Sequence, residues 1–147
     1  MTDNAAPRML FSPERRRLAM ARGQRMAALN GGAFLAEHMA DEVVERLAWV
    51  NRSFADVLVI GHAPQLLTDA LTARGAKVTL AGLVGRDCIC DEDALPFEPG
   101  SFDLVVSLGT LDSVNDLPGA LIQINRSLKP DGLMMAALIG AGSLPKL

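Results

Sequence analysis

Residues 91 to 132 constrain the fold more than any other part of the chain, because they contain a loop, a strand, a helix and a turn in succession. Phe102 to Leu108 is a near-continuous apolar run, as expected for a strand buried on both faces of a parallel sheet. Asp116 can cap the helix that follows, and Pro118 is tolerated in its first turn. The segment therefore predicts a central strand followed by a crossover helix.

The end of this helix and the next strand are also predicted. Apolar residues recur at three- and four-residue spacing and should face the sheet: Leu117, Leu121, Ile124 and Leu128. The turn Lys129-Pro130-Asp131-Gly132 should stop the helix, because Pro130 cannot continue it and Gly132 can adopt a positive φ. The apolar run Leu133 to Ile139 is then a further strand.

The preceding part of the chain alternates strands and helices, which predicts an α/β fold with a parallel sheet. We expect strand one at Asp56 to Ile60, strand two at Ala76 to Ala81 and strand three near Asp87 to Cys90. A helix from about Gln65 to Arg74, ended by Gly75, should join the first two strands. The run at Phe102 is then the fourth strand and the run at Leu133 the fifth.

Two helices should precede the sheet and cover its edge and the mouth of a ligand site. The first lies between Pro13 and Leu29 and is broken at Asn30-Gly31-Gly32. The second runs from about Phe34 to Val50. Its apolar stripe is Leu35, Met39, Val43, Leu47 and Val50. We therefore divide the chain into a helical cap, residues 1–50, and a sheet region, residues 51–147, within one folding unit.

Two phrases, LPFEPGSFDLVVS and LKPDG, resemble the second half of a class I S-adenosylmethionine-dependent methyltransferase domain. The chain is most similar to the branch that holds the malonyl-carrier-protein methyltransferase of biotin synthesis and the methyltransferase-like assembly factor of respiratory complex I, which shares the phrase VNDLP. The resemblance extends over roughly residues 10 to 147 and is more specific in the second half. It implies a doubly wound, Rossmann-like sheet with strand order 3-2-1-4-5 and S-adenosylmethionine as cofactor.

In such a sheet the ligand lies beyond the carboxyl ends of strands one and four, which places the cofactor loop at Gly61-His62-Ala63-Pro64-Gln65. The resemblance implies an acidic residue at the end of strand one and glycines at alternate loop positions. Val59 stands where the acid is expected, and Ala63 and Gln65 replace the second and third glycines. Only Gly61 keeps its role, so the loop is degraded.

The family also places an acid at the end of strand two, where it accepts hydrogen bonds from the ribose hydroxyls. Gly82 occupies that position and has no acceptor side chain. A hydrogen bond to a charged acceptor is worth about 1.5–3 kcal/mol, so its loss weakens binding roughly ten- to a hundred-fold.

The adenine end of the site is better preserved. The resemblance assigns Asp91, with Glu92 beside it, to the adenine amino group, with an apolar wall from Leu95-Pro96-Phe97. From the residues alone, this acidic run is equally a solvated loop. Ser107, at the end of strand four, matches a position that lines the cofactor site, although such a serine is often merely a strand end. Relatives often carry a His and an aromatic residue at the positions of Asp112 and Ser113.

Composition narrows the function classes. The net charge of −3, the single Trp and the absence of Tyr do not favour nucleic-acid binding. No apolar run reaches the length of a membrane span, and the N-terminus lacks the apolar core of a signal peptide. We predict a cytoplasmic protein, or a mitochondrial-matrix protein in a eukaryote. Arg15 to Arg17 beside Glu14 are interpreted as a solvated helix face.

Cys88 and Cys90 are the only cysteines, and their spacing predicts buried free thiols rather than a disulfide. His38 and His62 are not at ligand spacing from them, so no metal site is expected. His62 could contact a ligand, but a lone His is more often structural.

Family members continue after the fifth strand with a helix and two further strands, whereas little follows strand five here. We therefore expect an uncovered strand edge and self-association of the chain through it. The sequence does not identify the methyl acceptor. Catalytic residues cannot be named, because methyl transfer to a good nucleophile needs mainly proximity and orientation.

Three functions are compatible with these observations. The first is an S-adenosylmethionine-dependent methyltransferase domain, and the second a catalytically degraded relative that acts by protein binding, as an assembly factor does. The third, a nicotinamide-dependent oxidoreductase, has little support, since it needs the glycine loop and ribose acid that are missing.

Overall fold

A computed structural model describes residues 9–31, 33–140 and 142. Its five parallel strands form one sheet in the order β3-β2-β1-β4-β5. The strands are β1 (Asp56–Gly61), β2 (Lys77–Gly82), β3 (Cys88–Ile89), β4 (Phe102–Leu108) and β5 (Leu128–Ala137). The predicted doubly wound α/β fold and its strand order are confirmed.

In the described part of the chain, four α-helices lie around the sheet: α1 (Pro13–Asn30), α2 (Phe34–Trp49), α3 (Gln65–Ala73) and α4 (Leu117–Ser127). Local sequence signals set their ends. Ser12 caps α1 by accepting from the Arg15 backbone N–H, and Gly31 closes it in the left-handed conformation at φ 64°. Asp116 caps α4 by accepting from Gly119 N–H at 2.9 Å. None of the helices in the described residues is long and apolar enough to cross a membrane.

The two central strands form the core between the helical layers. Val57 to Ile60 and Leu104 to Val106 are fully buried. On one face of the sheet, α2 and α3 pack through Met39, Ala40, Val43, Leu47, Leu67 and Leu71. On the other face, α4 packs with Leu95, Phe102, Leu111 and Val114. Since α2 shares a core cluster with β1 and β4, its burial depends on the sheet; the division of the chain at residue 50 stays a prediction.

The predicted inner face of α4 is partly wrong. Leu117 and Leu121 are 41% and 42% exposed, whereas Ala120, Ile124 and Ser127 are buried. The small side chain of Ala120 lets the helix approach the sheet closely, and the buried face is rotated by about one residue from the leucine stripe. The prediction gave too much weight to side-chain size.

Several element bounds also differ from the prediction. The helix α4 ends at Ser127 and β5 begins directly at Leu128, so the predicted turn at residues 129–132 lies inside an irregular strand, with a register shift opposite Phe102 and Leu104. In α2, Leu35 is exposed and Ala40 takes its place in the core. The β3 strand is only two residues long, and β5 stops at Ala137, short of the predicted Ile139.

Candidate functional site

Two cavities lie at the carboxyl ends of the strands, on either side of α1. The larger has a volume of about 870 Å³ and is bounded by α1, the first turn of α2, the loop after β1 and Gly109 after β4. The smaller, of about 570 Å³, lies between the N-terminal half of α1, Leu83 and Ser113. Because Gly23 and His62 line both, the two form one cleft that α1 crosses. Both volumes lie in the range of roughly 300–1,000 Å³ that is typical of small-molecule sites.

Gly61 allows the chain to turn at the base of this cleft. Its φ is +90°, and a Cβ on it would lie 2.5 Å from both the Leu108 carbonyl oxygen and Thr110 Cγ2. The following residue, His62, donates its backbone N–H to the same Leu108 oxygen at 3.1 Å. The loop after β1 is thus held against the end of β4, and a side chain at position 61 would separate them.

His62 and Ala63 both line the larger cavity, together with Pro64 and Gln65. The His62 ring lies over Gly109, where a Cβ would come within 2.8 Å of His62 Cδ2. Burial lowers the pKa of His62, and the positive charge of Arg86 adds to this effect while Asp112 opposes it. His62 is therefore a neutral wall of the cleft at physiological pH.

Gly82 closes β2 directly beside Gly61, but the space near it is taken by Arg86. A Cβ on Gly82 would lie 3.5 Å from Arg86 Cγ and 3.5 Å from the Gly61 backbone nitrogen. Arg86 donates to the Gly61 carbonyl oxygen twice, from Nε at 3.0 Å and from Nη2 at 2.8 Å. The Arg86 side chain thus packs beside the position where the family resemblance implies a carboxylate.

Asp91 and Glu92 follow β3, and arginines of α1 pair with both. Glu92 is buried, with 1% of its surface exposed, and both of its carboxylate oxygens accept from Arg16 Nη2 at 3.1 Å. Arg16 also donates from Nε to Ser113 Oγ at 3.3 Å. Asp91 pairs with Arg17 at 3.2 Å in a more exposed position. The interpretation of Arg15 to Arg17 as a solvated face is therefore wrong for Arg16, whose side chain is 9% exposed.

Polar contacts hold α1 in place. None of its residues is buried. Besides the arginine pairs, Phe11 and Asn115 exchange two hydrogen bonds of 2.8 Å, and Gln24 donates to the Val84 carbonyl oxygen at 3.4 Å. The expected cover over the mouth of the site is thus attached by charge and hydrogen bonding rather than by apolar packing.

Ser107, in contrast, lies inside β4 and does not line either cavity. Its Oγ and the Oγ1 of nearby Thr110 are buried and have no hydrogen-bond partner in the described part of the chain. Thr110 Oγ1 would be 3.1 Å from a Cβ on Gly61. The structure therefore brings Gly61, His62, Ala63 and Gly82 together at one end of the sheet. Ser107 lies within β4 and outside the cleft. Asp91 and Glu92 form ion pairs with arginines of α1.

The cysteines have no role in this cleft. Cys88 and Cys90 are free, as predicted, but half-buried. Burial, reinforced by Cys88, raises the pKa of Cys90 to about 12, which keeps it protonated and unreactive. Among the described residues, no group of His, Cys, Asp or Glu is arranged to hold a metal ion.

Sequence reasoning missed Arg16 and Arg86. Arg16 lies 76 positions from the acid that it pairs with, and no local pattern links the two. Arg86 lies four residues after Gly82, in a loop without a periodic pattern. The signal that the sequence offered for Arg86 was a positively charged residue four positions after Gly82, where the ribose-binding acid is missing.

Comparison with known proteins agrees with this geometry. Residues 44–136 match the family model described as a methyltransferase domain. The chain is 51% identical over 128 residues to human "Arginine-hydroxylase NDUFAF5, mitochondrial", which covers 78% of this chain and 37% of that protein. It is 34% identical over 94 residues to the malonyl-[acyl-carrier protein] O-methyltransferase of Methylovorus, covering 63% of this chain and 32% of that protein. The chain spans about a third of the length of these relatives.

A solved structure shows the same fold. The 1,6-didemethyltoxoflavin-N1-methyltransferase of Burkholderia thailandensis, with S-adenosylhomocysteine and its substrate bound, superposes with a TM-score of 0.67 at 19% identity, covering 92% of this chain and 70% of that chain. The match to the family, the sheet order and the cleft at the ends of β1 and β4 lead to one assignment. This chain belongs to the class I S-adenosylmethionine-dependent methyltransferase family, in the branch of the complex I assembly factor and the malonyl-carrier-protein methyltransferases.

Proposed function

We propose that the cleft beneath α1 binds S-adenosylmethionine and its demethylated product, S-adenosylhomocysteine, and so supplies the cofactor site of a methyltransferase domain. The observation that carries this proposal is the cavity of about 870 Å³ at the ends of β1 and β4. In doubly wound sheets this is where nucleotides bind.

The residues of the cleft fit a nucleoside in several respects. Gly61 and Gly109 both have positive φ, and without a Cβ they let the loop after β1 pack against the end of β4 at the base of the cleft. The unpartnered hydroxyl of Thr110 lies beside Gly61 and could be satisfied by a polar group or a water. The loop from Gly61 to Gln65 would hold the methionine part of the cofactor, whose bound form supplies an activated methyl group.

The adenine side would depend on Asp91. Its pair with Arg17 is exposed, with side chains 34% and 48% accessible, so a ligand amino group can compete for this carboxylate at small cost. Glu92 cannot serve in the same way, because its ion pair with Arg16 is buried. The ribose side lacks its acid, and we expect weak binding there.

The test is calorimetric titration of S-adenosylhomocysteine and S-adenosylmethionine into the unmodified chain and two variants. Gly82→Asp alone is expected to give no gain, because the new carboxylate would face Arg86 and pair with it. Gly82→Asp combined with Arg86→Gln frees that carboxylate for the ribose, so we expect affinity for S-adenosylhomocysteine to rise roughly tenfold or more.

Arg46→Gln is the matched control, since Arg46 is 72% exposed on α2 and should leave binding unchanged. Binding to the unmodified chain, with an affinity that the double substitution increases, would support the cofactor site. Absence of binding to all four proteins would exclude it.

The second candidate function, protein binding by a domain that has lost catalysis, is favoured by Arg86 at the ribose position and by the closed Arg16–Glu92 pair. The human relative is named an arginine hydroxylase, and we propose an arginine group as a ligand of this branch. The methyl or other acceptor, and the predicted cytoplasmic or mitochondrial localisation, stay proposals.

We further propose that the chain self-associates through β5. Within the described residues this strand pairs only with β4 and lies at the edge of the sheet, opposite the two-residue β3. Residues 133–137 form a regular row of backbone groups that a second copy could pair with. Sedimentation velocity should show a concentration-dependent dimer for the unmodified chain. Ala136→Pro, which removes an N–H on the outer side of this strand, should reduce dimerisation, and a monomer at all concentrations would contradict the proposal.

A further inference from the structure

Arg86 gives the ribose side of the cleft a positive charge, which the nearby Asp87 offsets only in part because the two form no ion pair. None of the ion pairs formed by the described residues includes Arg86. Its Nε and Nη2 groups donate to the Gly61 carbonyl oxygen, and no described residue accepts from its Nη1 group. The guanidinium is therefore fixed in orientation while part of its donor capacity stays free.

Arg86 lines the larger cavity together with Gln24, His62 and Gln65. The start of α3 contributes in the same direction, because Pro64 and Gln65 line the cavity and no side chain caps this nine-residue helix. The first backbone N–H groups of α3 thus add positive potential next to the guanidinium.

Negative charge around the cavity is limited to its rim. Glu37 lines the cavity, but it is exposed in the first turn of α2, where solvent screens it. Asp112 opposes the lowering of the pKa of His62, and Asp87, the chain neighbour of Arg86, opposes the lowering of the pKa of Arg86. Gly82 supplies no carboxylate at the position closest to the guanidinium.

From this arrangement we infer that the ribose side of the cleft is an oxyanion subsite, in which Arg86 selects a nucleoside-sized ligand carrying a phosphate or carboxylate at that edge. The inference rests on the cleft of the proposed function. It differs in that the ligand should present a negatively charged group to the end of β2 and not a free ribose hydroxyl. In doubly wound folds an acid at this point favours a free ribose hydroxyl, whereas an arginine accommodates a 2′-phosphate. A fixed guanidinium binds phosphate and carboxylate through charge-assisted hydrogen bonds.

The experiment compares adenosine 2′-monophosphate with adenosine by calorimetry at one fixed ionic strength, using the unmodified chain, Arg86→Gln, Gly82→Asp and Arg46→Gln. We expect the phosphorylated ligand to bind the unmodified chain roughly tenfold more tightly than adenosine, as one charge-assisted contact provides. Arg86→Gln should remove this preference, so that the two ligands bind this variant with equal affinity. Gly82→Asp should remove it as well, because the new carboxylate neutralises the guanidinium in place. Arg46→Gln should keep it.

Malonate in the adenosine titration separates the two oxyanions. A gain in adenosine affinity that depends on Arg86 would assign the subsite to a carboxylate, and a gain seen only with the covalent phosphate would assign it to a phosphate. Equal affinities for the two nucleosides, or a preference that persists in Arg86→Gln, would overturn the inference.

This result and the result for the proposed function can be told apart. Binding of S-adenosylhomocysteine without any oxyanion preference would support the cofactor site and overturn the subsite. Preference for the phosphorylated ligand without binding of S-adenosylhomocysteine would do the reverse.

Discussion

Replacing Arg16 with Met should lower the free energy of unfolding by about 3 kcal/mol, because it leaves the Glu92 carboxylate buried without its counter-charge. Both oxygens of Glu92 accept from Arg16, and the Glu92 side chain is fully inaccessible. Removing one partner of such a pair typically costs roughly 3–5 kcal/mol. We expect the lower end of that range, because α1 has no buried residue and can lift enough to admit water.

The adjacent pair provides the control. Arg17→Met removes the same charge from the same helix, but its partner Asp91 is 34% exposed, so the expected loss is about 0–1 kcal/mol. A third variant, Arg16→Met with Glu92→Met, removes the buried carboxylate together with its counter-charge and should recover most of the stability. Urea denaturation followed by circular dichroism measures all three. Equal losses for the two single arginine variants would show that the burial of Glu92 has no energetic consequence.

Gly61→Ala should destabilise the fold by about 3 kcal/mol, through two separable effects. The backbone at φ +90° is strained for any residue with a Cβ, at a cost of roughly 1–2 kcal/mol. The added methyl group would also contact the Leu108 carbonyl oxygen and Thr110 at 2.5 Å, which forces β1 and β4 apart at the cleft. Overpacking of this kind adds about 1–3 kcal/mol.

Two other glycines separate these effects. Gly75 has φ +84° with no heavy atom within 4 Å of a built Cβ, so Gly75→Ala measures the backbone strain alone, at about 1 kcal/mol. Gly23 lies within α1 in open space, and Gly23→Ala should instead stabilise by roughly 0.5–1 kcal/mol. Urea midpoints rank the three variants. Equal losses for Gly61→Ala and Gly75→Ala would mean that the close approach of β1 and β4 is easily relaxed.

The sheet could be predicted from the sequence because each central strand is apolar along most of its length. Phe102 to Leu108 is a strand with the bounds that its composition predicts, and β1 differs by one residue. The buried face of α4 could not be predicted in the same way, since large leucines and a small alanine compete for the same helix face and only tertiary packing decides between them. The charged contacts of the site could not be predicted from the sequence either. The Arg16–Glu92 pair joins distant segments, and Arg86 folds back onto the Gly61 carbonyl oxygen from an irregular loop.

The attachment of α1 by hydrogen bonds and ion pairs has a consequence for how this protein unfolds. Denaturant sensitivity and the heat-capacity change both scale with the surface exposed on unfolding, and the heat-capacity change depends chiefly on apolar surface. A helix without buried residues exposes little of that surface when it detaches. Detachment of α1 as an intact helix would therefore add little to an m-value or a calorimetric baseline. Amide hydrogen exchange along α1 is the observable that records this motion, and in it the helix should form a separate opening unit of lower free energy than β1 and β4.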